Sequence, residues 1–154
     1  MFGLKKKKKV KKYVFYTSVK GNVITGLPFT YASDVNVEIN KEFIRFSSFE
    51  TVVDFKIHEF FSIQMLNFYT LEKLFNNGKI ICEIPDGVSA KVESIAYNSD
   101  LRRSIRFLLF VYPENNVYKG ILLQINDEWI NGSNLVNYFN NNTVMGKINA
   151  QKDL

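Results

Sequence analysis

The sequence has one cysteine, one histidine, one tryptophan and three prolines in 154 residues. A lone cysteine closes no intramolecular disulfide, so the fold must rest on its packed core, and a reducing, cytoplasmic setting suits it. One histidine and one cysteine fall short of a zinc site, and the acidic residues lack the spacing of a calcium loop. No metal and no cofactor are expected. Glycine is sparse, and none of the eight sits in a G-x-G-x-x-G or G-K-[ST] setting, so no phosphate-cradling loop is expected. No apolar run approaches the ~20 residues of a spanning helix. Phe2 stands where myristoylation requires glycine. The segment after the basic run lacks the apolar stretch and cleavage site of a secretory signal.

What is present is apolar and aromatic. Hydrophobic residues make up 46% of the chain, with 14 Phe and 8 Tyr among them, enough to bury the core of one domain. The net charge of +5 is unevenly spread. Lys5, Lys6, Lys7, Lys8, Lys9, Lys11 and Lys12 crowd the first twelve residues, and without them thirteen basic residues face fifteen acidic ones. The body is slightly acidic and the basicity is an appendage. Residues 1–12 are read as a disordered polybasic tail, because like charges repel and bury nothing. Each lysine near an anionic bilayer contributes about 1 kcal/mol of salt-sensitive attraction, and the same block attracts nucleic acid or only aids solubility.

Period-two alternation dominates the rest. Val35, Val37 and Ile39 alternate with polar residues, Phe43 to Phe46 reads as a return strand, and Val53, Phe55 and Ile57 alternate again, giving three strands of an antiparallel meander. Phe68, Leu71, Leu74 and Phe75 recur at helical spacing before Asn76-Asn77-Gly78, which predicts a short helix ending near Phe75. Ile80 to Ile84 reads as a strand, Pro85-Asp86-Gly87 as a turn and Val88 to Ala96 as the partner strand. Arg106 to Tyr112 is the most apolar run. With Val117 to Ile125 it predicts two central strands joined by a tight loop. Trp129, Ile130, Leu135, Val136 and Phe139 share a helical stripe, with Asp127 or Ser133 as N-cap. Periodicity fades beyond Asn140, so the domain is placed at 13–140 and 141–154 are read as a mobile tail.

About seven strands closing with one amphipathic helix resemble the pleckstrin-homology-like (PH-like) fold, and more particularly the small bacterial PH-like domains. Val23-Ile24-Thr25-Gly26-Leu27-Pro28 looks like their opening strand, and Val35 to Phe46, Phe107 to Tyr112 and Gly120 to Ile125 look like later ones. The resemblance implies a mainly β (α+β) fold, a curved antiparallel sheet or partly open barrel capped by a C-terminal helix. It also implies an adaptor that binds lipid headgroups, peptides or proteins. The first hairpin departs from the lipid-binding pattern: Asn22, Thr30 and Tyr31 stand where cations would be expected.

No catalytic set emerges. His58 is read as an ordinary solvent-facing strand histidine with no nucleophile in an elbow beside it. Cys82 is read as a small buried hydrophobe. Phe60, Phe61, Phe68, Tyr69 and Phe75 could stack bases, but such spacing favours a core. Arg102, Arg103 and Arg106, near Lys91, form a weak candidate anion patch that a solvated strand end explains equally well. The expectation is a non-enzymatic adaptor for a protein partner, with peripheral contact to anionic membrane through the tail. The alternatives are a nucleic-acid-binding β-barrel and a structural or assembly protein of a phage or mobile element. An enzyme would have to rely on carboxylates such as Glu50, Asp54 or Glu59. The oligomeric state is left open.

Overall fold

A computed structural model describes residues 14–31, 33–49, 51–95, 97 and 104–152. The strands are β1 (Thr17–Thr25), β2 (Asp34–Ile39), β3 (Phe43–Ser48), β4 (Thr51–Lys56), β5 (Ser62–Asn67), β6 (Arg106–Glu114) and β7 (Val117–Ile125). The helices are α1 (Phe68–Asn76), α2 (Val88–Ile95), α3 (Trp129–Asn142) and α4 (Val144–Lys152), with a 3-10 turn at Ile57–Glu59. All seven strands form one antiparallel sheet in the order β4-β3-β2-β1-β7-β6-β5.

The connection between the two edges shows how strongly this sheet bends. A flat sheet would hold β4 and β5 six strand spacings apart, about 29 Å. Yet only five residues separate Lys56 from Ser62, and that chain reaches about 21 Å when fully extended. The sheet must therefore curl. Ring contacts across its concave face agree: Phe46 of β3 lies 5.1 Å from Phe110 of β6, and Phe55 of β4 lies 5.2 Å from Tyr112. The fold is the expected mainly β, PH-like curved sheet, a partly open barrel that α3 closes with Leu135 and Phe139.

Alternation fills the concave side. Val35, Val37 and Ile39 of β2, Ile44 and Phe46 of β3, and Leu108 and Phe110 of β6 all enter one core. The convex side of β6 and β7 is covered too. Phe107, Leu109, Val111 and Leu122 meet Phe68 and Leu71 of α1 and Val88 and Val92 of α2 in a second core. Burial on both faces explains the unbroken apolar run in β6. The tight β6–β7 loop is a two-residue turn, Asn115 (φ 52°) and Asn116 (φ 68°), the left-handed pair that a hairpin twist demands.

Several expectations are corrected. Val88 to Ile95 is helix α2, not a strand: Val88, Val92 and Ile95 recur at i, i+4 and i+7, and all three reach the second core. Ile80 to Ile84 joins no ladder, and Glu83 makes only an isolated bridge to Lys119. Its period-two pattern is real, but Ile80, Cys82 and Ile84 point down onto the sheet instead of lying within it. The fourth strand stops at Lys56, so Ile57 and His58 belong to the 3-10 turn.

The expected tail beyond Asn140 is also helical as far as Lys152. Thr143 breaks the helix with extended backbone (φ −131°, ψ 153°), and its Oγ1 accepts a bond from Gly146 N at 2.9 Å, capping α4. In α3, neither Asp127 nor Ser133 is the cap; Glu128 stands there, and Ile130 is 77% exposed.

Gly26, immediately after β1, has a structural reason. Its φ is +100°, and a Cβ there would strike the carbonyl of Gly120. Only glycine fits where β1 crosses β7.

Candidate functional site

The two edges of the sheet differ in chemistry. β4 carries Asp54 and Lys56, and such charges discourage another strand from pairing. The Asp54 carboxylate takes two bonds from Arg45, 2.8 and 2.9 Å long. β5 reads Ser62-Ile63-Gln64-Met65-Leu66-Asn67, with no charge and no proline. It pairs with β6 on one side, and among the described residues no strand pairs with the other. In an antiparallel ladder, backbone N–H and C=O groups on that outer side face away from the partner strand.

A groove of about 500 Å³ follows this edge. One wall is Thr70 and Leu74 of α1 with Lys79, Ile80 and Ile81; the other is Val136 and Asn140 of α3 with Asn149 and Ala150 of α4. Local sequence sets both walls. Asn67 Oδ1 accepts from Thr70 N at 2.8 Å, which starts α1 as soon as β5 ends, and Gly78 (φ 62°) turns the chain back beside the edge. On the far wall, Asn149 Nδ2 donates to the Phe61 carbonyl at 2.8 Å. Ile81 is 54% exposed, and among the described residues Lys79 is the single charged one lining the groove. Apolar walls beside unpaired backbone suit an extended polypeptide: the edge supplies hydrogen bonds and the walls take side chains.

The residues singled out from sequence lie elsewhere. Lys5, Lys6, Lys7, Lys8, Lys9, Lys11 and Lys12, together with Arg102, Arg103 and Glu50, fall outside the described residues. Arg106 opens β6 with its guanidinium 3.8 Å from the Trp129 ring centroid, while Nη1 donates to the Ile105 carbonyl at 2.9 Å. Lys91 sits 4.6 Å over the Tyr31 ring. Phe60 and Phe68 are buried, and Phe61 and Phe75 pack half-buried against the second core, as expected of core aromatics; Tyr69 is exposed. Cys82 is buried, and that burial pushes its thiol above the ordinary range.

Two other clefts are already engaged. One of about 550 Å³ is lined by Lys20, Asn22, Asp34, Asp127 and Glu128 among others. Asn22 Nδ2 donates to Asp34 at 2.8 Å, and Glu128 accepts from Lys20 N and Asn131 Nδ2, so these carboxylates tie β1, β2 and α3 together. The other, about 290 Å³, holds exposed His58 with Glu59, Tyr112 and Glu114 and, among the described residues, no hydroxyl or thiol of Ser, Thr or Cys. Glu59 Oε2 accepts from Lys56 N at 3.1 Å and closes the 3-10 turn. Among the described residues no three His, Cys, Asp or Glu gather as metal ligands, and no helix is long and apolar enough to cross a membrane.

The β5 groove was not legible in the sequence, because β5 itself was not read as a strand. Its signal was the uncharged, proline-free stretch between two predicted elements. No protein-family model matches the chain, and no curated protein matches it.

Proposed function

We propose that this chain is a non-catalytic, PH-like adaptor domain that receives an extended segment of a protein partner as an eighth strand on β5. The observation that carries this reading is the contrast between the edges: β4 is guarded by charge, whereas β5 is uncharged and lies in a walled groove. A neutral or mildly acidic segment with apolar residues at alternate positions fits the lining, where Lys79 is the only charge among the described residues.

The test begins with extended peptides selected by display against the whole chain. Ile81→Asp, which alters an exposed wall residue, weakens the selected peptides, and N-methylating alternate peptide backbone nitrogens abolishes binding. Peptides that tolerate both changes would remove strand addition from consideration.

The polybasic tail adds salt-sensitive attachment to an anionic membrane surface in this reading. Replacing Lys5 to Lys9, Lys11 and Lys12 with Gln lowers sedimentation with phosphatidylserine-containing vesicles at low salt. Equal sedimentation of both proteins eliminates that role.

A further inference from the structure

We infer that α4 is a latch that competes with the partner segment for one end of the β5 edge. The inference rests on the strand-addition reading above and adds regulation of that same groove. Asn149 is the contact that carries it. Its Nδ2 donates to the Phe61 carbonyl at 2.8 Å, one residue before β5 begins, while the Phe61 N–H bonds the Val111 carbonyl of β6 at 2.7 Å, so the carbonyl is the group this end of the edge offers to a donor. A side-chain amide reproduces the chemistry of a peptide amide, so Asn149 stands in for the terminal rung of the absent strand.

The rest of α4 is held loosely enough to leave. Val144 is 70% exposed and Ile148 is 40% exposed, so its apolar residues do not form a stripe against the sheet. Its seat on α3 is local: Thr143 Oγ1 donates to Phe139 O at 2.9 Å and accepts from Gly146 N. Gly146 is packed so closely there that a Cβ would lie 2.5 Å from the Phe139 carbonyl and 2.6 Å from Asn140 Cα. Helix α3 is anchored differently, through fully buried Leu135 and Phe139. Release of α4 therefore frees the end of the edge without opening the barrel.

A latch at one end makes a length-dependent prediction. Peptides spanning all of β5 must displace Asn149; shorter ones, pairing only toward Asn67, need not. The experiment uses the full chain, Asn149→Ala and Gly146→Ala, the second unseating α4 without touching the Phe61 contact. Amide hydrogen exchange in unliganded protein reads how firmly this end of β5 is held against β6, since the Phe61 N–H bonds the Val111 carbonyl. Both variants speed exchange at Phe61 to Gln64 and leave β1 to β3 unchanged. Display-selected peptides are then titrated at two lengths. Asn149→Ala tightens the long one about two- to tenfold, the reach of one hydrogen bond, and leaves the short one as it was.

Unchanged exchange in both variants, or weaker binding of the long peptide to Asn149→Ala, overturns the latch, the latter making α4 a supporting wall. Loss of the strand-addition reading looks different: peptides then ignore Ile81→Asp, while the exchange result still decides what Asn149 does.

Discussion

Cys82 and Gly120 form a matched pair. A Cβ at Gly120 would lie 2.5 Å from Cys82 Sγ, so the strand under the buried thiol must have no side chain. Gly120→Ala is expected to cost about 1–3 kcal/mol in urea unfolding, as overpacking does. Cys82→Ala, which removes the opposing sulfur, recovers part of that loss, and a double-mutant cycle measures the coupling. Phe49 poses the opposite case. It is fully exposed at the β3–β4 turn with φ 50°, where a bulky side chain is strained. Phe49→Asn is expected to stabilise the fold by about 0.5–1 kcal/mol, since asparagine tolerates that conformation; a lower midpoint in urea would contradict this.

Two acids, buried Cys82 and half-buried Tyr112, weaken the fold at alkaline pH. Burial raises the Cys82 thiol above 9.0, against a smaller opposing backbone hydrogen bond. Burial, with help from Glu114, raises the Tyr112 hydroxyl above 10.0. In both cases the folded state holds its proton more tightly than the unfolded chain. Their contribution is therefore complete below the ordinary values and is lost as pH rises through the raised ones. Chemical unfolding midpoints fall above about pH 9, and the fall is shallower in Cys82→Ala or Tyr112→Phe.

Among the elements, strands flanked by alternation were legible and pieces that lie on the sheet were not. β2 and β3 could be read because one side of each needed an apolar row, and β6 and β7 because burial on both faces gave them continuous apolar runs. Ile80 to Ile84 has the same alternation, yet periodicity does not tell a strand within a sheet from an extended segment lying across its face. α2 was lost because Val88, Ala90 and Val92 also fit period two in so short a run, and only Ile95, three residues after Val92, breaks that alternation. α4 was lost because it has no apolar stripe, and its only sign was Thr143 as a cap. Thr143→Ala removes that cap and is expected to cost about 1 kcal/mol, with the lost helicity confined by carbon-13 chemical shifts to residues 144–152. The candidate groove shared this fate, since its edge strand was missed and part of its far wall, Asn149 and Ala150, belongs to the unread helix.

For the molecule as a whole, β6 and β7 supply both cores, so the concave and convex halves cannot melt apart. Phe110→Ala in the first core and Phe107→Ala in the second are each expected to cost about 3–5 kcal/mol. Both should shift one common transition seen by Trp129 fluorescence and far-ultraviolet circular dichroism. Separate transitions would mean that the two layers are independent.

The join between β1 and β7 also governs how the chain finds this state. Hairpins on either side of it form from neighbours, but Asn22 meets Gln124 only after about a hundred intervening residues have been drawn together. That closure carries the largest loop entropy of any pairing in the sheet and comes late, after the β1–β4 meander and the β6–β7 hairpin have nucleated separately. The speed of refolding is thus set at the seam, and a circular permutant fusing the β7 side to β1 by a short bridge would refold faster than the natural order of the chain.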